Sequence, residues 1–149
     1  MNTCFDVAIF FLKYQDPEAG DLMSNMKLQK LVYYSQGFHL AVKDKPLFEE
    51  PIEAWDHGPV CPALYHKYKV YDSGMIPIPY EEEGYNIFTD ETREILEMVH
   101  FYYGQFSAWK LRSLSHEDTP WINGHKKGRG VITHQDMKEY FKTQLNDES

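Results

Sequence analysis

Apolar positions along this chain recur mostly at helical spacing, and the second run is the strongest. Leu28, Leu31, Val32 and Ser35 fall at i, i+3, i+4 and i+7 on one face, while Tyr33, Gly37 and Leu40 form a second apolar stripe. A helix that is apolar on two sides belongs at the centre of a fold. The stretch from Met26 to Gly37 nevertheless carries Lys27, Gln29, Lys30 and Gln36. Burying such groups is costly unless each finds a partner.

The remaining pattern surrounds that helix with others. Thr3-Cys4-Phe5-Asp6 has the form of a capping box, and Phe5, Ala8, Ile9 and Leu12 predict a first helix running to about Tyr14. After the turn at residues 16–21, Ser24 or Asn25 caps the central helix, which is expected to end near Val42. Between Lys45 and Val60 the periodicity changes. Pro46, Pro51 and Gly58-Pro59 punctuate a segment in which Ile52, Ala54 and Trp55 suit a short strand. Pro62 opens a third helix marked by Leu64, Tyr65 and Tyr68. Residues 72–88, with two Pro, two Gly and Glu81-Glu82-Glu83, read as an irregular segment with a mobile tip, in which Ile76 and Ile78 pair as an edge strand.

Thr89 or Asp90 starts a fourth helix with Ile95, Met98, Val99 and Tyr102 on one face, and Gly104 ends it. Ser107 caps a fifth with Trp109, Leu111 and Leu114 inward. Thr119-Pro120 reads as a cap followed by proline at the first helical position, starting a sixth helix through Trp121 and Ile122. Gly124, Gly128 and Gly130 break the chain, and Thr133 to Asp136 opens a last helix with Met137, Tyr140 and Phe141 inward. The expected fold is mainly α: a compact bundle of about seven helices with a minor β element between the second and fourth helices.

A chain of 149 residues fits one domain, residues 1–149, able to bury about 70% of its unfolded surface. Eleven Tyr and nine Phe make rings the main core material and good interface material. The net charge of -8 argues against general binding to a nucleic-acid backbone, so no nucleic-acid partner is expected for the chain by itself. Its one dense basic stretch, Lys126-Lys127-Gly128-Arg129, reads as a solvated loop. The run from Val7 to Leu12 is too short to span a bilayer, and no secretory signal precedes it. Cys4 and Cys61 match no metal or redox spacing and are expected to be reduced, so a cytoplasmic protein without membrane contact is anticipated.

The histidines include no i, i+4 pair flanking a glutamate, and no nucleophile elbow, phosphate-binding glycine loop or paired-carboxylate signature occurs. No metal, cofactor or catalytic residue is therefore assigned, and the protein is not expected to be an enzyme. Two readings of the central helix stay open. In one, Lys27 and Lys30 extend their ammonium groups to the surface and Gln29 satisfies the backbone of a neighbouring irregular segment. In the other, Lys27, Gln29 and Tyr33 line a polar groove for a partner. Trp55 and Trp121 are core residues or, if their ring edges are exposed, hot spots.

Several separated motifs identify a family. Lys27-Leu28-Gln29-Lys30-Leu31-Val32-Tyr33-Tyr34-Ser35-Gln36-Gly37-Phe38-His39-Leu40 is followed by Lys45-Pro46-Leu47-Phe48, by Ile52-Glu53-Ala54-Trp55 running into Gly58-Pro59-Val60, and by Leu64-Tyr65 with Tyr68. Leu111, Leu114, Ser115-His116 and Pro120-Trp121 come later. From about Met1 to about Phe141 the chain resembles the Panacea domain, the SocA-like and GepA-like family of phage-associated and toxin–antitoxin proteins. The resemblance implies a helical architecture and a protein that neutralises a cognate toxin by direct contact. A SocA-like branch acts instead as an adaptor that delivers its partner to a host protease. A third, separate reading is a hydrolase using His116 with Glu117 or Asp118. His116 matches the family's position at the end of the fifth helix, where it is expected to cap the last carbonyls against Trp121. The motif residues Lys27, Gln29, Lys30, Tyr33, Trp55, Gly58, Pro59, His116 and Trp121 are the candidates for partner contact. Many relatives carry an added DNA-binding domain; the expectation here is a chain without one, which does not bind an operator by itself.

Overall fold

The central helix is enclosed by the rest of the chain. A computed structural model describes residues 1–20, 22–80 and 87–146. The expected acidic tip at 81–83 and the tail 147–149 lie outside those residues. The elements are α1 (Cys4–Leu12), α2 (Asn25–Lys43), β1 (Glu53–Trp55), β2 (Gly58–Val60), α3 (Pro62–Tyr68), α4 (Asp90–Tyr103), α5 (Ala108–Ser115), α6 (Thr119–Lys126) and α7 (His134–Asn146). The mainly α architecture with a small β element matches the sequence pattern. Every residue of α2 from Lys27 to Leu40 is buried, and α2 packs against α1, α3, α4, α5, α7 and β2.

Local chemistry sets the helix starts. Thr3 and Asp6 form a reciprocal capping box on α1, and the hydroxyls of Ser24, Thr89 and Ser107 accept from backbone N–H groups of α2, α4 and α5. α2 ends where Asp44 turns left-handed at φ 59°. The expected single extended element is an antiparallel hairpin pairing Glu53 with Val60, Ala54 with Pro59 and Trp55 with Gly58. The segment after α6 extends it, because Ala54 N–H donates to Gly130 O and Ile132 N–H to Ile52 O.

Side-chain amides replace a backbone ladder for the irregular segments. Gln36 accepts from Leu47 N–H at 2.7 Å and donates to Phe48 O at 2.8 Å. Gln29 accepts from Cys61 N–H at 2.8 Å and donates to Asn25 Oδ1 at 3.0 Å. Gln15 accepts from Met23 N–H at 2.6 Å and donates to Ile76 O at 2.8 Å. Each glutamine thus satisfies buried donors or acceptors that no strand supplies.

Four sequence expectations are corrected. Residues 76–78 form no strand: Ile76 is buried and its N–H donates to Met23 O, while Ile78 faces solvent. Trp109 is 65% exposed, since two residues along a helix is a 200° turn and Leu111 takes the inner face. Tyr102 is also exposed, and Tyr103 instead turns inward to stack on Tyr34 at 3.9 Å. The cap of α6 is Asp118, one residue before Thr119, and its side chain makes no cap hydrogen bond.

The Asp118 carboxylate serves tertiary structure instead. It accepts from Tyr33 OH at 2.9 Å and Tyr140 OH at 2.7 Å, tying α2 and α7 to the start of α6. Burial pushes its carboxyl up to about 6, although both phenol hydrogen bonds pull the other way. Gly37 lets α7 approach α2 closely. A Cβ there would lie 2.2 Å from two ring carbons of Phe141, which is itself fully buried.

Two outcomes follow. Gly37→Ala should destabilise the fold by about 2 kcal/mol through overpacking, read as a lower urea midpoint at unchanged slope, with part recovered in a Gly37→Ala/Phe141→Leu double variant. Between the ordinary carboxyl value and about 6, the native state holds a proton on Asp118 that the unfolded chain releases, so this group's contribution falls as pH rises. Relative to Asp118→Asn, the native chain should therefore gain roughly 2–3 kcal/mol as pH drops through that window, measured by urea unfolding at stepped pH.

Candidate functional site

The motif residues divide among three places. Tyr33 is wholly buried at the Asp118 contact, where burial raises its phenol well above the usual range. Lys27 lies at the α4–α5 turn, its ammonium donating to Gly104 O at 2.7 Å. Gln29 is used on Cys61 N–H, the backbone service expected of it, so Lys27, Gln29 and Tyr33 do not converge on one groove. Lys27 lies 200° from Gln29 around the helix, and Tyr33, one turn beyond Gln29, is shut in at the Asp118 contact.

His116 and Trp121 meet on the outer side of the hairpin turn. His116 Nδ1 lies 2.6 Å from Arg112 O and Nε2 lies 2.7 Å from Asp56 O, while its ring sits 4.2 Å from that of Trp121. It does cap the last turn of α5, as the family position implies. A neutral imidazole carries one N–H and can donate to only one of these carbonyls at a time. Both nitrogens therefore face backbone acceptors. Trp121 is buried, donates its indole N–H to Trp55 O at 2.8 Å, and stacks on His125. His125 and Arg129 both pair with Asp56 and hold its carboxyl below the usual range. Arg129 of the basic stretch is thus spent on the turn.

Lys30 and Trp55 line a cleft of about 420 Å³ between the start of α2, the hairpin, α3 and the start of α5, and Gly58 packs on Lys30. Met26, Val60, Tyr65 and Ala108 supply apolar wall, with His57 and Lys69 also lining it. Trp55 meets Tyr65 edge to face at 5.0 Å and donates its indole N–H to Glu53. Gly58 adopts φ +113°, and a Cβ on it would sit 2.5 Å from Lys30 Cε. Pro59 is buried opposite Ala54. Lys30 does not reach the surface as one reading expected: it is 1% exposed, because the hairpin closes over its stem. Burial, with a smaller push from Arg112, pulls its ammonium down to about 7.

Two features escaped the sequence. Cys4 and Cys61, distant in the chain, are neighbouring buried free thiols, and the Cys61 thiol together with burial pushes the Cys4 thiol up. The α4–α5 corner exposes Phe101 at 86% and Trp109 at 65%, with Tyr102 beside Phe106. Arg112 lies over the Trp109 ring at 4.8 Å. The spacing of Trp109 from Leu111 was the available signal. Among the described residues no group of His, Cys, Asp or Glu is arranged to hold a metal, and no helix is long and apolar enough to cross a membrane.

The family described as "Antitoxin SocA-like, Panacea domain" matches residues 28–122, from the first leucine of α2 to α6. Antitoxin SocA of Caulobacter vibrioides (strain NA1000 / CB15N) is 32% identical over 138 residues, covering 82% of this chain and 73% of that protein. No solved structure matches significantly. The matched span contains the buried α2, the hairpin and the His116–Trp121 contact, and on this ground the chain belongs to the SocA-like, Panacea-domain antitoxin family.

Proposed function

We propose that this chain is an antitoxin-type protein that neutralises a cognate toxin by binding it directly, with no chemistry of its own. The observation that carries the reading is the exposed aromatic corner of α4 and α5. Phe101 and Trp109 stand in solvent, 86% and 65% exposed, at the end of one helix and the start of the next. Exposed aromatic and arginine side chains are the preferred anchors of protein interfaces, and Arg112 stacked on Trp109 limits how much that ring loses on binding. The net charge of -8 favours fast encounter with a basic partner.

A binding role also suits the candidate catalytic groups. His116 faces two carbonyl oxygens, and Asp118 is buried under two tyrosines, so neither presents itself to a substrate. We read residues 1–149 as one unit with one core, acting in the cytoplasm of a cell that carries the toxin. The buried thiols suit a reducing compartment.

The test is co-expression with the protein encoded beside this one. Rescue of growth and a stable co-purifying complex are expected, and Phe101→Ala and Trp109→Ala should each weaken the complex about tenfold or more without changing the circular dichroism. Rescue accompanied by loss of the partner protein would replace masking with proteolytic delivery. No rescue and no complex would sink the antitoxin reading, and undiminished binding by both Phe101→Ala and Trp109→Ala would move the interface off this corner.

A further inference from the structure

We propose that the Lys30 cleft is a carboxylate-binding site, taking an acid group carried on an apolar or aromatic body. The strongest observation is the lysine itself. Its side chain is 1% exposed, lines the cleft, and makes no hydrogen bond or ion pair among the described residues. Every other polar residue of the buried motif that enters the argument has a partner: Gln29, Tyr33 and Gln36 are each hydrogen-bonded. A buried ammonium left unpaired is expensive, and a ligand of opposite charge removes that expense.

The surroundings select the ligand. Trp55, Tyr65, Met26 and Val60 make a wall suited to a ring or alkyl body. One ammonium at the floor matches a single negative charge, whereas a phosphate group calls for a guanidinium fork or several backbone donors. Other charges near the site are His57 from the hairpin turn, Lys69 and Asp72 beyond α3, and Arg112 from α5, which does not line the cleft and is engaged with His57 and the Trp109 ring; Asp72 is the one acid among the described residues lining the cleft. The Gly58 turn packs directly on Lys30: a side chain there would meet both Cε and Nζ, at 2.5 and 3.3 Å. The acid could belong to a small organic molecule or to the C-terminus of a polypeptide, since both offer a carboxylate beside an apolar group. Phe101 and Trp109 do not line this cleft, and the site does not depend on the antitoxin reading.

The experiment titrates the intact protein, labelled with ¹³C at lysine Cε, with 3-phenylpropionate and with the tripeptide Gly-Leu-Phe, each against its amide. Saturable binding of an acid with Kd near about 1 mM is expected at about pH 6, with movement of the Lys30 resonance. It should weaken about tenfold at about pH 9, where the lysine is neutral, and equally for the amide. Lys30→Met, which removes the charge at similar volume, should abolish it, while Lys138→Gln, at a lysine of α7 that does not line the cleft, should leave it. Binding at least about tenfold tighter by the tripeptide assigns a chain terminus, and the reverse assigns a small acid. Equal affinity for acid and amide, equal affinity at both pH values, or binding that survives Lys30→Met would overturn the proposal. Should that variant fail to fold, the amide and pH comparisons on the native chain decide it.

Discussion

A helix enclosed on all sides has no water for its polar side chains, and every one of them must be answered by the protein or left exposed to the low dielectric. That constraint on α2 organises this fold. From Lys27 to Leu40 every residue of α2 is buried, so Gln29, Tyr33, Gln36 and His39 each dictate where a neighbouring segment must run. Gln36 fixes residues 47–48, Gln29 fixes the entry to α3, and His39 Nδ1 sits 2.8 Å from Lys45 O. Much irregular backbone here is therefore templated by amide side chains. A protein with little β structure can hold long loops in this way, because each amide offers a donor and an acceptor in one plane, as a neighbouring peptide would.

The same accounting explains the outer contacts. The hairpin turn is fixed by backbone acceptors rather than by a long ladder: Asp56 O meets His116, and Trp55 O receives the Trp121 indole. Asp118 joins three helices through two phenols, which is why it gives up capping α6 with its side chain. These residues look catalytic when taken singly, with histidine, aspartate and serine close in sequence. Their partners are structural ones.

For a binding protein, this division separates what builds the fold from what meets the partner. Most matched motif residues are internal, whereas Phe101 and Trp109 lie on the outside of helices whose inner faces are fully used. Lys30 belongs to neither set cleanly, being internal like the motif yet unpaired and open to a cleft.

How much of this was legible follows from the range of each interaction. Helix starts at Thr3, Ser24, Thr89 and Ser107 were readable because a cap acts within four residues, and the centrality of α2 because two apolar stripes require two packed faces. The exposure of Trp109 was present in its spacing from Leu111 and was misread. The family was legible from ordered motifs. What the sequence could not contain is pairing across the chain: Asp118 with Tyr33 and Tyr140, Cys4 with Cys61, Ile76 with Gln15 rather than with a strand. Nor could it distinguish a lysine that reaches water from one stopped by the hairpin, since the stem is long enough for both. The chain by itself determined which segments are helices and which of them is central, because those depend on near neighbours. Which polar groups are answered, and that Lys30 alone of its motif faces a cleft unpaired among the described residues, was decided by how distant segments pack.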